Sequence, residues 1–332
     1  MGSNHHQYWD ILGHRRVIRY LQSVINRRQT VCAYLFWGPS QGGKGTVARL
    51  FLRCLLCQSP HTGNACGNCT SCKAWARNIH PDTVLLDNND ESIGIDAIRE
   101  LQQRLARRPS LGRSSVAFIK RAERMTKGAS NALLKTLEDP PADTVLVLTS
   151  DHPEQLPATL RSRCQELEFC PVAETEILHA VMKLVPVRNQ ALAMTRLSFG
   201  RPGKAFDLAR RPLVYQEYLR DVDGFLHVLA LPVSERHGYI QAFLGADKKA
   251  ATRTVERVFQ TWMLLLRDML FLRLNLPENI THTEARDNLA HQAEQFSLHH
   301  IVSLLTKLRQ LVAVTRYHVN PQLLVENFFL HL

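Results

Sequence analysis

The sequence predicts an α/β domain built on a parallel sheet covered on both faces, followed by a half that is helical throughout. Three observations predict it. Strand-length apolar runs alternate with helical patterns through the first 168 residues, the alternation that a parallel sheet with crossover helices requires. A glycine-rich loop joins one such strand to a helix. From about Glu174 onward the apolar period is 3.6 and strand runs vanish.

Val31 to Trp37 reads VCAYLFW, an apolar and aromatic run of strand length. Gly38-Pro39-Ser40-Gln41-Gly42-Gly43-Lys44-Gly45-Thr46 follows, and then Val47, Ala48, Leu50, Phe51 and Leu55 at helical spacing. Strand, glycine-rich loop, lysine and helix is the context of a P-loop. Glycines let backbone N–H groups turn toward phosphate oxygens, and a helix N-terminus favours negative charge. Gly38, Gly43 and Lys44 are therefore the candidate phosphate-binding residues, with Lys44 placed to reach the β- and γ-phosphates. The motif is incomplete. After the lysine it needs a Ser or Thr hydroxyl for Mg²⁺, and that position is Gly45. Thr46 comes one residue late and is expected on another face of the helix.

Ser115 to Ile119 is a second strand-like run. The corresponding strand of a P-loop ATPase ends in carboxylates that hold Mg²⁺ and activate water. Here it ends in Lys120 and Arg121, with Glu123 three residues along. Cations neither ligate a metal nor serve as a base near neutral pH. Both gaps remove the metal, so Mg²⁺ is not expected, ATP or ADP is expected to bind weakly, and intrinsic ATP hydrolysis is not expected.

Five of the eight cysteines, Cys54, Cys57, Cys66, Cys69 and Cys72, lie just after the P-loop helix pattern. Cys57, Cys66, Cys69 and Cys72 have the spacing of a tetrahedral zinc site, and Gly63, Asn64 and Gly67 supply its turns. Four thiolates leave no open position for water, so the zinc would be structural. Redox chemistry would need only one CxxC pair. Cys54 lies one helical turn before Cys57 and reads as a packed core thiol.

Asn131 to Asp139 is an amphipathic helix stopped by Pro140-Pro141, and Thr144 to Ser150 (TVLVLTS) is a buried strand. In the second half, Arg253, Val255, Val258, Phe259, Trp262, Leu265, Leu266, Met269 and Leu270 mark one long helix. Leu304, Leu305, Leu308, Leu311 and Val312 mark another, and Leu324, Phe328 and Phe329 a last one. Leu276 to Arg286 reads as a polar linker between helices.

Lys and Arg number 41 against 30 Asp and Glu, a formal charge of +11. Such a balance suits a polyanion only where the charge is clustered. The cations are spread along the chain, so a solvated basic surface and a nucleic-acid face both stay open. No apolar run approaches the ~20 residues of a membrane span, and Met1 to His6 lacks the pattern of a secretory signal. A soluble, cytoplasmic protein is expected.

Taken in order, these segments resemble the bacterial clamp-loader family of AAA+ ATPases. The resemblance is carried by Gly13-His14, AYLFWGPSQGGKG at 33–45, the cysteine cluster behind the P-loop helix, and His80-Pro81-Asp82. Ile95-Asp96-Ala97-Ile98-Arg99, NALLKTLEDPP at 131–141, and Leu156-Pro157 leading to Ser162-Arg163-Cys164 complete it. The departures at Gly45, Lys120 and Arg121 set the chain apart from the family's gamma/tau motor. They bring it nearer to the delta-prime branch, whose SxGxPGxA stretch is similar to Ser198 to Ala205, and whose ending is similar to Val319 to Asn327.

The resemblance implies a RecA-like AAA+ domain over 1–168 with the zinc module at 57–72, a helical lid over 169–210, and an all-α collar over 211–332. It implies a ring of five subunits with motor and delta partners, acting on a sliding clamp and primer-template DNA. It also implies that Arg163 is a finger reaching a neighbour's nucleotide in trans, a task that a permanent charge and a planar fork suit. The residues alone favour reading Arg163 as a surface or interface ion pair. Thr149 and Ser150 stand where a first polar sensor would be, and Arg201 and Lys204 near a second. An ATP-hydrolysing motor and a zinc-bearing scaffold outside replication are the alternative functions.

Overall fold

The computed structural model describes residues 9, 11–87, 92–232, 235, 248–315 and 319–332. Met1 to His6 and their signal reading lie outside them. The chain divides into two compact units, Met1–Ala180 with Ser198–Ala205, and Val181–Leu197 with Phe206–Leu332.

The first unit carries five strands: β1 (Ala33–Trp37), β2 (Thr83–Leu86), β3 (Ser115–Ile119), β4 (Thr144–Ser150) and β5 (Gln165–Glu168). All are parallel, in the order β2-β3-β4-β1-β5. Its helices are α1 (Arg15–Arg27), α2 (Lys44–Leu56), α3 (Thr70–Ala76), α4 (Ile95–Leu105), α5 (Lys127–Glu138) and α6 (Ala158–Arg161). The strands alternate with a period of two, as side chains in a pleat must. Tyr34, Phe36, Val116, Phe118, Val145 and Val147 pack on one face with Leu21, Phe51 and Leu52. Leu35, Ala117, Ile119, Leu146 and Leu148 pack on the other with Ile98, Leu101 and Leu133.

β2 and β5 are the two edges, and neither stands out in the sequence. β2 is four residues long, and β5, QELE, is half-exposed along its length, so no apolar run marks it. α5 begins earlier than its apolar pattern, because the Thr126 hydroxyl accepts the Ala129 N–H at 3.2 Å and caps it.

Three helices follow: α7 (Glu174–Met182), α8 (Arg188–Ser198) and α9 (Pro202–Arg210). The turn between α8 and α9 places Gly200 at φ 73, where a Cβ would meet the Pro171 Cβ at 2.5 Å.

The second unit contains α10 (Pro212–Ala230), α11 (Lys248–Arg273), α12 (Arg286–Glu294), α13 (Leu298–Val314) and α14 (Pro321–Phe329). Their apolar stripes meet around Trp262, whose ring lies 5.5 Å from both Phe225 and Phe328. The stretch expected to be a polar linker is partly interior: Ile280, Thr281 and His282 are buried. The reason is Asp268 on α11, a fully buried carboxylate that must find donors. It accepts the N–H groups of Thr281 and His282 at 2.8 Å and the His282 ring at 2.6 Å. Tyr218 bonds the other ring nitrogen. The polarity that reads as a linker is thus paired internally. Among the described residues, no helix is long and apolar enough to cross a membrane.

Candidate functional site

The glycine-rich loop lies at the carboxyl ends of the strands, between β1 and α2, and lines a cavity of about 700 Å³. Gly38 sits at φ 143, and a Cβ there would fall 2.3 Å from the Phe169 carbonyl oxygen. Gly43, at φ 104, ends the loop just before α2. The loop is tied down from two sides. His14 Nε2–H donates to the Gly42 carbonyl at 2.7 Å. Burial, reinforced by the Lys44 charge, lowers the His14 pKa and favours the neutral ring. Gly203 N–H donates to the Gln41 carbonyl at 2.9 Å, and a Cβ at Gly203 would sit 2.7 Å from that oxygen.

Lys44 is 6% exposed, and its ammonium has three donors. They go to the carbonyls of Gly38 at 2.6 Å and Pro39 at 2.7 Å, and to the Asp151 carboxylate at 2.7 Å. At the end of β3, Lys120 pairs with Asp87 at 2.8 Å. The cavity edge therefore runs Asp87, Lys120, Asp151, Lys44 across β2, β3, β4 and β1, each lysine held by a carboxylate. The carboxylates expected to be missing for a metal are present nearby, but they are bound to lysines. Glu123 accepts the Asp151 backbone N–H at 3.3 Å and so braces the pair.

Gly45 has nothing within 4 Å of a would-be Cβ, so space does not forbid a hydroxyl there. Thr46 also borders this cavity, which is wide enough to meet two successive residues of the first turn. Thr149 and Ser150 are buried, with their oxygens accepting the N–H groups of Arg121 and His152. Arg201 donates to the Ser198 carbonyl at 2.8 Å within its own turn. Burial, with Arg201 adding, brings the Lys204 pKa down to about 8.

Arg163 follows α6. Its guanidinium donates to the Thr159 carbonyl at 2.9 Å and pairs with Glu138 of α5 at 2.7 Å, with 36% of the side chain exposed. Arg161, two residues earlier, makes a two-pronged pair with Glu166 at 2.9 and 3.0 Å. The two neighbours are thus held in different directions by different acids.

The four cysteines singled out by spacing converge: the Sγ atoms of Cys57, Cys66, Cys69 and Cys72 lie within 4.8 Å of one another and could hold a metal ion. Cys66 N–H donates to the Cys57 sulfur at 3.2 Å, and Cys72 N–H to the Cys69 sulfur at 3.3 Å. Such bonds favour thiolates. Burial works to raise the Cys66 pKa, but donors from Asn68, Cys69 and Cys57 bring it down to about 7. Cys54 stands apart and buried, its pKa pushed up to about 12 by burial. The module is anchored by a contact the sequence did not reveal. His80 bonds the Ser71 hydroxyl of α3 at 2.8 Å, and that hydroxyl donates to the Leu56 carbonyl at 2.7 Å.

A five-stranded parallel sheet with a glycine-rich loop after β1, and a helical second half, make a fold like that of the AAA+ clamp loaders. A gamma subunit-related protein of DNA polymerase III from Thermotoga maritima has this fold, with a TM-score of 0.52 at 20% identity over 95% of this chain and 98% of that one. Residues 13–173 match the model of the family described as DNA polymerase III, delta subunit. The chain is a relative of the DNA polymerase III delta-prime subunits. It is 40% identical to that of Escherichia coli over 173 residues, covering 51% of this chain and 52% of the relative. That match spans about half the relative's length. Against the Bacillus subtilis delta-prime subunit it is 27% identical over 321 residues, covering 96% and 95%.

Proposed function

We propose that the chain is a non-hydrolysing delta-prime subunit of a bacterial clamp loader. It assembles in a five-membered ring with gamma/tau motor subunits and delta, and the ring loads a sliding clamp onto primer-template DNA in the cytoplasm. The observation that carries this reading is Lys120 at the end of β3, paired with Asp87, where a motor needs metal-binding carboxylates. ATP or ADP binds weakly in the phosphate loop and Mg²⁺ not at all. Residues 1–168 form the nucleotide-binding domain, 169–210 its lid and 211–332 the collar. The four-thiol cluster holds a structural zinc, for which thiolates at this spacing are the fitting donors.

Arg163 is the finger that this subunit supplies to a neighbour. Its charge is permanent, and it offsets the negative charge that develops on the neighbour's γ-phosphate in the transition state. In the isolated chain Glu138 and the Thr159 carbonyl hold the guanidinium itself, so it exchanges these partners for the neighbour's phosphate, and 36% of the side chain is exposed for it to do so.

The test is ATP hydrolysis with Mg²⁺ and primed DNA, by the chain alone and in a ring reconstituted with a motor subunit. The chain alone gives no turnover. Arg163→Ala assembles normally and lowers turnover at the one adjacent site, where loss of a trans arginine costs on the order of 10³-fold. An unchanged rate removes the finger, and turnover by the chain alone makes it a motor.

A further inference from the structure

At the opposite end of the sheet from the phosphate loop, a second cleft of about 240 Å³ opens where β2 and β3 begin. Arg104, Arg107, Arg108, Ser110 and Ser115 line it. Arg104, Arg107 and Arg108 have the i, i+3, i+4 spacing that puts side chains on one face, and the turn continues past α4 through the Arg107 N–H to the Arg104 carbonyl. Arg113 lies in the loop beside it, and all four arginines are exposed. Among the described residues, no ion pair joins Arg107, Arg108 or Arg113 to an acid.

One acid lies in the cleft, and it is already occupied. Asp82 accepts the Ser110 N–H at 2.7 Å and hydroxyl at 2.8 Å on one oxygen, and the Leu111 and Gly112 N–H groups at 2.8 and 2.7 Å on the other. Burial works to raise its pKa, and these four donors leave it lowered. Its effect is to fix the loop that carries the arginines. The helix dipole attracts cations to a last turn, and Arg104, bonded to the Thr83 carbonyl at 2.9 Å, fits that role. It does not account for Arg107, Arg108 and Arg113, which lie beyond Leu105, the last residue of α4.

We propose that this cleft is an anion site that takes the phosphodiester backbone of duplex DNA. Its cations are all arginine, whose fork matches phosphate oxygens. Its apolar lining is a single exposed proline, Pro81, with Val84 and Leu105 buried at 5% and 2% exposure, so it offers no broad apolar centre. Protein interfaces have an apolar centre ringed by polar groups, whereas DNA interfaces are polar and strongly positive. The loop is fixed before any ligand arrives, which lowers the entropic cost of binding. The site does not depend on ring assembly or on Arg163.

The experiment uses the full chain and a labelled random-sequence duplex, with affinity measured by anisotropy across a salt series. Arg107→Ala/Arg108→Ala/Arg113→Ala weakens binding roughly tenfold or more at low salt and flattens the slope of log K against log salt by about 2 to 3, at ~0.9 per phosphate contact. Arg309→Ala, an exposed arginine of α13, leaves both values near wild type. Arg107→Lys/Arg108→Lys/Arg113→Lys keeps most of the slope. The proposal is overturned if the triple alanine variant binds like wild type, if Arg309→Ala weakens binding as much per charge, or if the lysine variant loses the slope as fully as the alanine one. It is also overturned if the alanine variant keeps DNA and loses only a polyglutamate peptide, which would make the partner an acidic protein.

Discussion

Asp151 stands toward Lys44 as a phosphate oxygen would, a single anionic oxygen 2.7 Å from the ammonium. Lys44 is 6% exposed and Asp151 22%, so the pair is mostly shielded from water. Removing one member of a buried pair costs about 3–5 kcal/mol, and the partial exposure of Asp151 puts this case at or below the lower end. Asp151→Asn therefore lowers the melting temperature. Pyrophosphate then recovers part of the loss, because an anion that binds only the folded chain stabilises it by mass action. Melting curves with and without pyrophosphate check this: the variant gains more than the wild type. Equal gains would mean that Asp151 does not occupy the lysine. Sequence shows the substitutions at Gly45 and Lys120 directly. It does not show that Asp87 and Asp151 neutralise the two lysines, because those partners lie 33 and 107 residues away and only the parallel sheet aligns them.

The cysteine module is the element whose reading from sequence and whose geometry agree most closely. Ligand spacing is local, since Cys57 to Cys72 form one short excursion whose turns are set by Gly63 and Gly67 at φ 75 and 80. What ties the excursion to the sheet was not legible, because Ser71 and His80 carry no periodic signal and meet only when α3 packs behind α2. The edge strands escaped for two reasons: β2 is only four residues long, and β5 is half-exposed, so it lacks the apolar run that betrays a central strand. Zinc in the module yields one metal per chain by elemental analysis of freshly purified protein. Cys66→Ser loses it, and hydrogen exchange then accelerates over 57–76 while the amides of β1, β3 and β4 stay protected. Protein that carries no metal when purified without chelator would remove the zinc. Exchange accelerating through the central strands as well would show that the module supports the whole sheet.

Each unit of the molecule has its own core: two layers across the sheet in the first, and the Trp262 cluster in the second. The helical half was legible as helices because burial follows the 3.6 period at Val255, Phe259, Trp262, Leu266 and Met269. Its polar centre was hidden in the apparent linker. Burial works to raise the Asp268 pKa, and the bonds from His282, with Arg267 at 2.9 Å, more than offset it and hold the carboxylate ionised. Asp268→Ala leaves the Thr281 and His282 N–H groups without their acceptor, each unsatisfied buried group costing about 1–3 kcal/mol. The second unit is expected to lose about 3 kcal/mol or more. Since Asp268 bonds only residues of its own unit, the loss stays there. Hydrogen exchange should accelerate in α10, α11 and residues 280–282, with β1, β3 and β4 unchanged. If the central strands lose protection to the same extent, the two units unfold as a single cooperative body, and the stability of the phosphate loop is governed by a carboxylate in the other unit.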